Sequence, residues 1–93
     1  MSNQKLLSKF RDVLRQEGLK YTPQRVSVLE EIIKDHGHRE CEDIYLALRQ
    51  NNNHVSRATI YRTMDILVKN GYARKMEIGD GRARYESKIG SPH

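Results

Sequence analysis

The sequence predicts a mainly α domain closed by a small β-hairpin: a winged helix-turn-helix of four helices followed by a two-stranded antiparallel ribbon. Three observations predict it. Apolar residues recur at helical spacing in four successive segments between Leu6 and Val68. The polar cluster Asn51-Asn52-Asn53 leaves only a short turn between the third and fourth segments, as in a helix-turn-helix. After Asn70-Gly71 the period changes to alternation, and Gly79-Asp80-Gly81 falls in its middle as a hairpin turn.

Leu6, Leu7, Phe10, Val13 and Leu14 form one face of the first helix, and Gly18 supplies its stop. Thr22-Pro23 starts the second: Thr22 can cap free N–H groups, and Pro23 suits a first turn, where its missing N–H costs nothing. Val26, Leu29, Ile32 and Ile33 are its apolar stripe, which ends near Lys34. Cys41, Ile44, Tyr45 and Leu48 make a shorter third stripe, with a poor cap expected because Glu40 stands where Ser or Thr would serve better. Ser56 is the expected N-cap of the fourth helix, whose buried face is Ile60, Met64, Leu67 and Val68. Tyr72 to Ile78 and Ala83 to Glu86 read as the strands.

Ninety-three residues set the prior at one domain burying about 60% of its surface, too little for a large cleft with its own supporting shell. The net charge is +5, unevenly spread. Residues 1–55 carry nine basic and eight acidic side chains, whereas residues 56–93 carry eight and four. A local basic excess attracts polyanions. A solvated face kept for solubility has the same composition, so charge alone does not choose between them. With one cysteine, Cys41, no internal disulfide and no CxxC clamp can form, and its place on an apolar stripe points to the core. No segment approaches the ~18 apolar residues of a membrane span, and the N-terminus has no apolar signal run. A soluble, cytoplasmic protein without membrane contact is expected. No nucleophile–base set, paired carboxylates or phosphate-cradling loop supports an enzyme.

The fourth helix carries the chemistry. Opposite its buried stripe lie Arg57, Ala58, Tyr61, Arg62 and Asp65, and no acidic residue stands between Arg57 and Met64. The second helix of a helix-turn-helix puts its N-terminal part into the major groove. Arg57 and Arg62 can each give guanine two hydrogen bonds or bind phosphate. Tyr61 offers a ring edge to a thymine methyl group, and Ala58 allows close approach. Ser56, Thr59 and the free N–H groups of the first turn can hold a phosphate. Arg82 and Arg84, at the hairpin, suit phosphate or a narrow minor groove. A protein-binding module without a role on DNA would instead call for an exposed apolar patch on this helix or hairpin.

Three segments together resemble the ferric uptake regulator (Fur) family. They are Gly18-Leu19-Lys20-Tyr21-Thr22-Pro23-Gln24-Arg25, Ser56-Arg57-Ala58-Thr59-Ile60-Tyr61-Arg62-Thr63, and Gly79-Asp80-Gly81 with Arg84-Tyr85-Glu86. The resemblance implies that Lys20 reaches a minor groove, that Thr22, Gln24 and Arg25 meet the DNA backbone, and that Tyr61 and Arg62 are the main major-groove contacts. It assigns no role to Tyr21. It also implies part of a regulatory metal site, with His38 and Glu86 as ligands and His93 as the first residue of a histidine-rich segment. An imidazole and a carboxylate suit Fe(II), Mn(II) or Zn(II), and the wing leans towards iron. The expected organisation is a DNA-binding domain over residues 1–86, with residues 87–93 beginning a linker to a dimerisation and metal-binding domain. Accordingly no tightly bound cofactor is expected here. The complete protein would be a homodimeric repressor on an A/T-rich pseudo-palindromic operator, and this stretch alone would be monomeric off DNA.

Overall fold

The computed structural model describes residues 3–34, 37–79 and 81–89, with only the backbone of Asn3 and Ile78. Its elements run α1 (Asn3–Gln16), α2 (Pro23–Lys34), α3 (Cys41–Gln50), α4 (Arg57–Lys69), β1 (Ala73–Ile78) and β2 (Arg82–Ser87). The mainly α, winged helix-turn-helix order expected from the sequence is the one observed. Among the described residues no helix is long and apolar enough to cross a membrane.

One core joins all the elements. Leu6, Phe10, Val13 and Leu14 of α1 meet Val28, Leu29 and Ile32 of α2, Cys41, Ile44 and Leu48 of α3, and Ile60, Met64 and Leu67 of α4. Two stripes are shifted from their sequence-based positions. In α2, Val28 is fully buried while Val26 and Ile33 are only partly covered. In α4, Ile66 and Thr63 are buried and Val68 sits at the margin. The cause is the central position of α4, which packs against α2, α3 and β1 and so buries a face wider than one stripe. Thr63 tolerates full burial because its hydroxyl donates to the Thr59 carbonyl at 2.7 Å.

Three helices end in the same way. Leu19 N–H donates to the Leu14 carbonyl with Gly18 at φ +74°, and Tyr72 N–H to Leu67 with Gly71 at φ +83°. Asn53 N–H reaches Leu48 with Asn52 at φ +61°. Each is a six-residue closure around one left-handed residue, and it satisfies a carbonyl that the helix leaves open.

The start of α3 corrects the expectation of a poor cap. Asp43, three residues into the motif, accepts from the Glu40 N–H at 2.9 Å, so the cap comes from inside the helix. Strands β1 and β2 pair antiparallel from Ala73↔Ser87 to Ile78↔Arg82. Strand β2 runs one residue past the sequence-based domain boundary. Ser87 is buried, Lys88 N–H donates to the Tyr72 carbonyl at 3.0 Å, and Ile89 packs on the core. On its other edge β2 meets a single-residue bridge. Arg39 N–H donates to Tyr85 O at 3.0 Å, and Tyr85 N–H to Arg39 O at 2.7 Å.

Candidate nucleic-acid interface

The exposed face of α4 is built from its cap outward. Ser56 Oγ accepts from the Thr59 N–H at 3.1 Å, and the Ser56 hydroxyl donates to Thr59 Oγ1 at 3.0 Å. The N–H groups of Arg57 and Ala58 precede the first intrahelical bond and have no helical acceptor. No carboxylate occupies this first turn, so its positive end is open to an anion. Arg57, Ala58, Tyr61 and Arg62 are all exposed and Thr59 half-buried. Tyr61 is 52% exposed, one of two large apolar side chains so open among the described residues. Arg62 borders a shallow groove with Glu17, Leu19 and Asp65.

Arg57 is not loose. Its Nε and Nη2 donate to the two carboxylate oxygens of Glu42 on α3, at 2.8 and 3.0 Å. Its guanidinium carbon lies 4.0 Å from the centre of the Tyr45 ring. The paired hydrogen bonds hold the Glu42 carboxyl below, and the Arg57 guanidinium above, their ordinary pKa values. This partnership was not readable from sequence, since the residues stand 15 apart on different helices.

The approach to α2 divides its four candidates. Lys20 and Gln24 are exposed. Thr22 Oγ1 accepts from the Arg25 N–H at 3.3 Å as the helix cap, and Arg25 Nη1 donates to the Lys20 carbonyl at 2.6 Å. Thr22 and Arg25 therefore shape the loop that presents Lys20. Tyr21 packs edge-on against Phe10 and lies beneath Arg11, which accounts for it structurally.

On the hairpin, Arg82 and Arg84 alternate onto one face and converge on Glu40. Their Nη atoms lie 3.6 and 3.9 Å from Glu40 Oε2. The Arg82 side chain is 67% exposed and that of Arg84 only 26%. The outer position is the more accessible of the two.

The fold brings His38 and Glu86 together across 48 residues of sequence, with Nε2 and Oε2 3.4 Å apart. Donors about 2.0–2.1 Å from a tetrahedral ion stand roughly 3.3 Å from each other, so this spacing fits two ligands of one ion. Among the described residues no third His, Cys, Asp or Glu completes the group. His93 and His36 lie outside the described residues. Cys41 is buried, and burial pushes its thiol up to about 11 despite a hydrogen bond with Tyr85. That makes it a core residue rather than a ligand.

The ferric uptake regulator family model matches residues 16–93. The peroxide-responsive repressor PerR of Staphylococcus aureus is 34% identical over 73 residues, which are 78% of this chain and 49% of PerR. The chain thus spans about half the length of the curated relatives it matches. The manganese-bound Fur of Pseudomonas aeruginosa superposes with a TM-score of 0.70 at 31% identity, over 86% of this chain and 60% of that one. Fur of Helicobacter pylori, described as having three functional metal-binding sites, gives 0.82 at 25% identity over 100% and 62%. These relatives are named as regulators and repressors, not as enzymes. Matching motifs, matching architecture and a family model covering most of its length place the chain in the ferric uptake regulator family.

Proposed function

We propose that this chain is the DNA-reading domain of a metal-responsive transcriptional repressor that binds duplex DNA sequence-specifically. The observation that carries this reading is the outer face of α4. Tyr61 and the guanidinium groups of Arg57 and Arg62 stand exposed there, over a helix N-terminus that holds no carboxylate. In this reading α4 enters the major groove, Tyr61 and Arg62 meet base edges, and Ser56, Ala58 and Thr59 allow close approach to phosphate. Lys20 reaches an adjacent minor groove, Gln24 the backbone, and Arg82 the phosphates flanking the site. Thr22 and Arg25 support from behind, and Arg84 acts mainly through Glu40. The domain proper is residues 1–86, with residues 87–93 leading to a dimerising half.

The chain's regulatory metal would be held in part by His38 and Glu86, with His93 and residues beyond it supplying the rest. Fe(II) is favoured, with Mn(II) and Zn(II) suited to the same donors. An A/T-rich pseudo-palindromic operator, a cytoplasmic setting and a homodimeric complete protein belong to the same proposal.

Titration against duplexes selected from a randomised pool tests it. Tyr61→Ala and Arg62→Ala should each cost ~1–3 kcal/mol and relax base preference. Contact with ~5 phosphates should give a log–log salt slope near −4.5. Unchanged affinity in Tyr61→Ala would show that α4 is not the reading helix. A flat salt response would favour a protein-binding module instead.

A further inference from the structure

Arg57 is held by two independent devices, both from α3. Glu42 takes the Nε–Nη2 edge in a two-point ion pair, at 2.8 and 3.0 Å. The Tyr45 ring lies against the guanidinium plane, 4.0 Å from its carbon. Tyr45 is itself fixed, half-buried against the core, and its hydroxyl accepts from Arg49 Nη1 at 3.0 Å. A guanidinium has two edges able to make paired hydrogen bonds. With the Nε–Nη2 edge taken, the terminal edge remains, formed by Nη1 and the second Nη2 hydrogen. Nη1 has no partner among the described residues. That edge presents two parallel donors, the pattern that matches O6 and N7 of guanine in the major groove.

We propose that Arg57 is a pre-oriented reader of a single guanine, and that Glu42 and Tyr45 are the positioning residues that set its plane. The inference rests on the DNA-reading role proposed above. It explains why a carboxylate stands beside a face otherwise suited to polyanions. Glu42 repels phosphate and so weakens binding to DNA of every sequence. In exchange it immobilises a side chain rich in rotamers, which would otherwise lose that freedom on binding. A lysine could not replace Arg57, because one ammonium cannot serve two planar edges.

The test is selection from a randomised duplex library by the full chain and its Arg57→Ala, Glu42→Ala, Glu42→Gln, Tyr45→Leu and Tyr61→Ala variants. Circular dichroism checks that each variant is folded. The parent chain should enrich a G·C pair at one position. Arg57→Ala and Glu42→Ala should lower that preference about tenfold at that position and nowhere else. Glu42→Gln and Tyr45→Leu should lower it less, and Tyr61→Ala should relax a different position. If Glu42→Ala tightens binding to all duplexes while the guanine preference persists, Glu42 merely sequesters Arg57 and the proposal falls alone. If the folded parent chain enriches no sequence, the DNA-reading role falls and takes this inference with it.

Discussion

Glu31 and Arg39 form an ion pair whose cost of desolvation is met by geometry. Arg39 Nη1 donates to Glu31 Oε2 at 2.8 Å and Nη2 to the Glu31 carbonyl at 2.6 Å, with the Glu31 side chain 8% exposed. Removing one partner of such a pair strands the other. Glu31→Ala should therefore lower stability by about 3 kcal/mol, read as a lower urea midpoint; an unchanged midpoint would mean that the pair is not holding α2 to the loop. Cys41 sets an alkaline limit. Its thiol ionises near 9.0 when unfolded and near 11 when folded, because burial disfavours the thiolate. The folded state thus keeps a proton that the unfolded state loses. The contribution is intact below pH 9 and lost as pH rises to about 11, at a slope of ~1.4 kcal/mol per pH unit. Buried Tyr85, raised by the same cause, adds to the loss. Urea titrations from pH 8 to 11 should show this decline, and Cys41→Ala should flatten it. At this scale the sequence was half legible. Tyr61 faces solvent because helical period alone puts it opposite Ile60 and Met64. Glu31 is buried because Arg39 returns across a loop, which no periodicity encodes.

Secondary elements were readable wherever their signals were local. Thr22-Pro23, Ser56, Gly18 and Gly71 all mark the helix ends that the structure has. The start of α3 was misread because its capping acceptor is Asp43, which lies inside the helix rather than ahead of it. Asp43→Ala should accordingly cost ~1 kcal/mol, measured by thermal unfolding; a smaller loss than from an exposed control such as Glu30→Ala would contradict the cap. The Arg39–Tyr85 bridge escaped notice altogether. A strand one residue long leaves no alternation to detect, and its partner lies 46 positions away. The same non-locality hid Glu42 and Tyr45 behind Arg57, and Glu40 behind the two hairpin arginines.

For the molecule as a whole, the DNA-facing and metal-ligating candidates occupy separate regions joined by the β2 ladder. Arg82 and Arg84 occupy one end of β2, and Glu86 lies near its other end, beside His38. Two donors make half a site. Zn(II) titrated into this chain should bind more weakly than micromolar, and His38→Ala should weaken it further. Sub-micromolar affinity in a monomer would mean that ligands beyond His38 and Glu86 already lie within the chain. The Arg39–Tyr85 bridge bears on that site in another way. It sits immediately inside His38 and Glu86, one residue from each. Bringing the ends of so long a loop together costs roughly 3 kcal/mol of chain entropy. The backbone rung closes that loop during folding, so an ion arriving later meets two donors already side by side and has only their rotamers to arrest.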